Sequence, residues 1–353
     1  MGRRSMMNLS ARRIVVSSFL VGALFSVGPA TAAEQGKSIY LLGVTGSMAG
    51  VTPPPGTYVS SFTYVYSGDG TGAAALSVTL PGTGTALPGV ATLEVDANVR
   101  VEANVALDVL SVLWVAPQQV LGGHFGVGAL LPVGYQGVDV NVDARTALTF
   151  PDGTVLQGGK SRLISENTFA VGDPLATAFI GWSSGDWHWK VTGLLNIPVG
   201  EYDRYSLVNM GFNRWAADLT ASTTWLDPKS GFEVSLAGGF TFNGENPDTD
   251  YRTGTEFHFE GAVMKHFSKD FALGVAGYHY QQVTGDSGAG AVLGPLKGRV
   301  SAIGPNLTYN FQVKDVPVLT SVRWLHEFDT ENRLEGDAFF ATLTIPFGGS
   351  PGH

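Results

Sequence analysis

The chain has 353 residues, among them 47 glycines, 20 phenylalanines and no cysteine; 14% of its residues are charged and the formal net charge is −9. So acidic a chain is a poor partner for nucleic acid or any other polyanion, and without cysteine it can carry neither a disulfide nor a lipid-bearing thiol. Few charges with abundant glycine and phenylalanine suit strands whose outer face meets lipid better than a soluble acidic domain.

Arg3, Arg4, Arg12 and Arg13 precede an apolar run from Ile14 to Val27, followed by Ala30-Thr31-Ala32-Ala33. That is the basic, hydrophobic, small-residue order of a secretory signal peptide, and residues 1–33 are expected to be removed by a cut after Ala32 or Ala33. Removing them leaves 17 basic against 30 acidic residues, a net charge of −13. Residues 34–56 contain Pro53-Pro54-Pro55-Gly56, which cannot form the interior of a strand. They are expected to be an irregular leader, either a partial plug in a barrel mouth or, more simply, a segment hanging below it.

A first strand is predicted at 57–66, with Tyr58, Phe62, Tyr64 and Tyr66 on one face, followed by a long Gly-, Thr- and Pro-rich connection over 67–89. Residues 90–110 carry the most regular pattern. Odd positions from Ala91 to Val109 are all apolar, while Glu94, Asp96, Arg100, Glu102 and Asp108 occupy even ones. Period two is the signature of a strand with one oily and one wet face. A short turn is expected at 115–119, entered through Trp114. A third strand over 120–133 sets Phe125, Val127, Ala129, Leu131 and Val133 against Gly122, His124, Gly126 and Gly128, a small face with room for the charges next door.

The long segment 134–173 has room for a hairpin of its own. Strands follow at 174–183, 187–198, 211–226, 232–243, 250–267, 271–285, 297–311, 317–328 and 336–347. This gives an all-β, transmembrane, antiparallel up-and-down β-barrel of about twelve strands over 57–347, with long external loops, short periplasmic turns and a tail at 348–353. An even strand number puts both termini on one side, and closure satisfies backbone groups that lipid cannot.

If apolar faces look to lipid, the lumen receives Glu94, Asp96, Arg100, Glu102 and Asp108 from strand two. Strand eight adds Arg252, Glu256, His258, Glu260 and His266, and strand eleven adds Arg323 and Glu327. Such a lining is either a selective conduit or a solvated wall held by salt bridges. No serine sits in a Gly-x-Ser-x-Gly elbow. His258 and His266 stand eight residues apart, too far for one ion. The chain is therefore read as a non-enzyme without cofactor or metal.

Several stretches resemble the outer-membrane transporters labelled as phenol meta-pathway degradation proteins, including sphingosine-associated barrel proteins. They are Pro53-Pro54-Pro55-Gly56-Thr57-Tyr58, Leu121-Gly122-Gly123, Leu131-Pro132-Val133-Gly134, Gly172-Asp173-Pro174 and Gly181-Trp182. They continue with Gly244-Glu245-Asn246, Tyr251-Arg252-Thr253-Gly254, Gly277-Tyr278, Gln281-Gln282, Gly285-Asp286-Ser287-Gly288 and Ile303-Gly304-Pro305. The resemblance implies an outer-membrane barrel near the catabolism of aromatic or other hydrophobic compounds, with no catalytic residues to carry over. The resulting expectation is passive uptake of hydrophobic or amphipathic small molecules across a Gram-negative outer membrane, with membrane lipid and such a solute as partners and no nucleic acid. Two other readings stay open: a non-transporting structural or surface-binding barrel, and a lipid-modifying barrel enzyme.

Overall fold

The structure, a computed structural model, describes residues 33–80 and 91–347. Most of the predicted signal peptide and the tail at 348–353 lie outside the described residues. Along the chain come β1 (Gly56–Leu80), β2 (Ala91–Val120), β3 (Gly123–Thr149), β4 (Val155–Val171), β5 (Leu175–Ser184), β6 (Trp187–Asn196), β7 (Ala216–Asp227) and β8 (Phe232–Asn243). After a small loop hairpin of β9 (Glu245–Asn246) and β10 (Tyr251–Arg252) follow β11 (Glu256–His266), β12 (Phe271–Gln282), β13 (Arg299–Tyr309), β14 (Phe311–Val313), β15 (Val316–Glu331) and β16 (Glu335–Phe347).

Residues 33–70, 102–139 and 165–347 form one compact unit. In it twelve strands close a ring in the order β1, β2, β3, β5, β6, β7, β8, β11, β12, β13, β15, β16, and β16 pairs back onto β1. The closing seam is antiparallel and runs from Thr57 opposite Phe347 to Asp69 opposite Glu335. No strand edge is left for lipid to satisfy, which is the condition a sheet must meet to cross a bilayer.

Alternation assigns the two faces. On β8, Glu233, Ser235, Ala237, Thr241 and Asn243 are buried while Phe232, Leu236, Phe240 and Phe242 are exposed. On β11, Glu256, His258, Glu260, Ala262 and Met264 are buried beside exposed Phe259 and Val263. On β6, Trp187, Trp189, Val191 and Leu195 look outward. An exposed belt of this composition is what hydrocarbon selects, and its price in water would be a large apolar patch.

The turn between β2 and β3 is Leu121-Gly122, not 115–119. Both residues have positive φ, 50° and 73°, the two-residue geometry that matches the twist of a hairpin. Residues 115–119 stay in the strand, and Trp114 is an outward side chain on it. The expected connection 67–89 is likewise strand as far as Leu80. The small face of β3 makes room for a ring rather than for charges. A Cβ on Gly126 would stand 2.5 Å from the Phe179 ring, which packs inward with Tyr58 and Val115.

The second unit includes residues 71–80, 91–101 and 140–164. Here β3 pairs with β4, the hairpin expected within 134–173. The Thr146 hydroxyl donates to the Gly158 carbonyl at 3.3 Å, and Ser161 donates to the Asp143 carboxylate.

Candidate functional site: the barrel interior

Residues 33–55 form an irregular strap inside the barrel. The inward rows of β7, β8, β11 and β15 mix polar side chains with apolar ones such as Met264 and Leu325, which pack on Tyr40 and Leu42 of the strap, and many of their hydrogen-bonding groups are met by the strap's backbone and hydroxyls. Glu260 accepts from the Gly43 amide at 2.7 Å and the Thr45 amide at 2.8 Å. Glu233 accepts from the Met48 amide at 2.6 Å and the Ser47 hydroxyl at 2.8 Å, and it also meets His266 Nε2 at 2.6 Å. Glu256 takes the Ser38 hydroxyl at 3.0 Å and the Tyr280 hydroxyl at 2.8 Å. Arg323 donates to the Gly43 and Val44 carbonyls at 2.6 and 3.0 Å.

The Tyr40 ring stacks on His258 with centroids 3.6 Å apart, and His258 Nε2 stands 2.9 Å from Asp218 Oδ2. Below them the Gly50 amide donates to the Thr224 hydroxyl at 2.9 Å. An irregular backbone can lie at membrane depth only where the surrounding protein supplies its partners, and these carboxylates supply them. The simple expectation of a leader hanging below the barrel is therefore corrected: the segment is a fixed internal strap.

Of the twelve residues assigned to the lumen, Glu256, His258, Glu260, Arg323 and Glu327 point inward and are buried, and half-buried His266 meets Glu233. Glu327 accepts from the Tyr66 and Tyr278 hydroxyls at 2.8 and 2.5 Å. The strand-two set lies elsewhere. Glu102 is exposed, and Asp108 accepts from the outward Ser61 hydroxyl at 2.7 Å on the face that carries exposed Leu110, Val112 and Trp114. In the second unit Glu94, Asp96 and Arg100 are exposed while Ala97 and Val101 are buried.

Period two fixes that faces alternate but not which face is inside. A crossing needs only about 9–11 residues, and β2 has 30, so its charges need not be at lipid depth. Arg252 also departs from the expectation: it lies exposed on the β9–β10 hairpin, its Nε donating to the Asn243 carbonyl at 3.2 Å.

The sequence reading passed over the groups that hold the start of the strap. Glu34 is ion-paired with Arg214 at 3.0 Å and accepts from Asn246 at 2.9 Å and Thr249 at 2.7 Å. The Glu34 amide donates to the Thr253 hydroxyl at 3.2 Å, and the Ala33 nitrogen reaches Asp286. Asp173 collects the Gly200 and Phe212 amides at 2.7 and 2.8 Å and Asn196 Nδ2 at 2.8 Å. The stretches around Asn246, Thr253 and Asp286 were visible as pieces of the family resemblance, but nothing in their spacing says that they converge on one point of the leader.

A closed twelve-stranded antiparallel barrel with an apolar outer belt and a strap-filled interior defines the outer-membrane β-barrel fold. The family profile described as "Putative MetA-pathway of phenol degradation" matches residues 81–343, and the chain belongs to that family. An outer membrane channel from Pseudomonas putida F1 superposes with a TM-score of 0.57 at 16% identity, covering 84% of this chain and 97% of that one. A Pseudomonas aeruginosa FadL homologue (TM-score 0.35, 9% identity, 82% and 89% covered) and a TodX variant described as a monoaromatic hydrocarbon channel (TM-score 0.35, 10% identity, 84% and 91% covered) are too remote to bear on function. No curated protein matches the chain in sequence.

Proposed function

We propose that the protein is an outer-membrane channel for the passive passage of small hydrophobic or amphipathic molecules, with the strap setting the width of the path. One observation carries this reading. The strap is hydrogen-bonded to the wall of β7, β8, β11 and β15, whereas the inward side chains of β1 and β2 on the other side, such as Phe62, Val105, Leu107 and Val109, are only half-buried. A lane with a polar strap on one side and apolar or aromatic side chains on the other suits a solute with both characters. No step of passage requires a nucleotide, a metal or a catalytic group, and we read the protein as a non-enzyme of the Gram-negative outer membrane.

The test is flux into liposomes carrying the full mature protein, measured with a small aromatic solute and with potassium chloride. Aromatic uptake above that of protein-free vesicles is expected. Deleting residues 36–52 is expected to open a larger, ion-conducting pore. If the intact protein passes no solute while the deletion conducts, the barrel is a sealed structural element, the alternative that the dense strap–wall hydrogen bonding favours.

A further inference from the structure

The Ala33 nitrogen lies in a formed receptor. It stands 3.1 Å from Asp286 Oδ2, with Ala33 fully buried and Asp286 4% exposed. The same carboxylate accepts from the Tyr251 hydroxyl at 2.6 Å, the Gly254 amide at 3.0 Å and Gln282 Nε2 at 2.5 Å. In the uncut chain every one of these donors is neutral. Among the described residues no Lys, Arg or His forms a salt bridge with Asp286. A carboxylate taken out of water wants a cation as well as hydrogen bonds.

A second, independent feature lies on the same atoms. Ala33 has φ 61° and ψ 143°, a combination that crowds a Cβ and belongs to glycine. The torsion φ is defined by the carbonyl carbon of the preceding residue, and a residue that begins a chain has none. One cut removes the steric conflict and supplies the missing cation.

We propose that the leader is cut between Ala32 and Ala33, and that the α-ammonium so formed is bound by Asp286 as an N-terminal receptor that fixes the outer end of the strap. The inference rests on reading residues 1–32 as an export leader and is independent of what the barrel passes. In the cut, water adds across the Ala32–Ala33 amide: the C–N bond breaks, Ala32 leaves as a carboxylate and the Ala33 nitrogen takes up the protons to become –NH3+. The export pathway's leader-cleaving endopeptidase is the catalyst. Burial and the neighbouring Asp286 carboxylate hold the Tyr251 hydroxyl well above its ordinary pKa, so it remains a donor to the same group. A cut one residue later would leave the Glu34 nitrogen facing the Thr253 hydroxyl and Asp286 without its fourth donor.

The test uses mature protein purified from outer membranes. Intact-mass and N-terminal analysis should give Ala33 as the first residue. At neutral pH an amine-reactive succinimidyl ester should tag the Ala33 amine on the order of tenfold more slowly, relative to exposed Lys269, than it does in D286N. Because D286N could fail to assemble, a second variant carries Gly-Ser inserted after Ala32. It keeps the carboxylate but displaces the charge, and should label quickly, unfold at a lower temperature, and lose less on adding D286N than the wild type does, the remainder being the Tyr251, Gly254 and Gln282 bonds. A first residue other than Ala33, or an amine that labels as fast in the wild type as in the insertion variant, overturns the proposal.

Discussion

Glu260 shows how one side chain can hold a strand and a strap together. It is buried on β11, accepts two strap amides and faces Arg323, which itself donates to two strap carbonyls. Removing the carboxylate leaves two buried amides unpaired, at about 1–3 kcal/mol each and roughly 2–6 kcal/mol together. Glu260→Ala is therefore expected to lower stability by about that much in urea unfolding from lipid vesicles, whereas Gln, which keeps an acceptor, should cost less. Asp227, in the exposed β7–β8 turn, behaves differently. Hydrogen bonds from Ser230 and Lys229 hold its carboxyl below the ordinary aspartate range. Its folded pKa is depressed, so its contribution is present above the unfolded value and is lost as pH falls through the folded one. An NMR titration of the turn should show a midpoint below about 3.9, and the acid-induced loosening should be absent in Asp227→Asn.

At the scale of the strand, alternation decides what a substitution meets. Leu236 on β8 faces outward among Phe232, Phe240 and Phe257, in the apolar belt. Leu236→Arg should cost about 2–4 kcal/mol at mid-depth. Glu102→Arg on β2 should stay within about 0.5 kcal/mol, since Glu102 is already exposed. Parallel urea unfolding of the two variants in vesicles checks the pair, and equal losses would contradict the assignment of faces. The same comparison explains what the amino-acid order could tell. The alternation of Phe259 with Glu260 or Trp324 with Arg323 was legible, and so were the turns at 184–186 and 227–231. The sense of β2 was not, because an apolar row can be buried against protein as readily as against lipid. Trp114, taken for the edge of a turn, sits within a strand that runs on to Val120.

For the whole molecule, strand number, closure and the alternation of long and short connections were legible because each is a local pattern repeated along the chain. The strap was not. Its sequence, from Glu34 through Gly43 and Gly46 to Pro53-Pro54-Pro55, has no periodicity, and its partners are distributed over β7, β8, β11 and β15, up to 280 residues away. Burying such a segment depends on receptors spread over several strands, and even the richest window, Glu256, His258 and Glu260 on β11, does not say which segment of the chain they receive. The packing of the strap's apolar side chains was equally hidden, since Tyr64 looks the same in the sequence whether it meets lipid or, as it does, the Tyr40 and Leu42 cluster.

The seam between β1 and β16 bears on how the barrel can be assembled. Since β1 begins where the strap ends, a sheet of β5 through β16 that has not yet met β1 would already present the carboxylates that the strap uses. Laying the strap into that open trough needs no threading, whereas inserting it after the circle is complete would mean drawing the charged end at Glu34 and Lys37 through a finished pore. The molecule is thus most easily built as a cradle that receives its own beginning and then shuts over it.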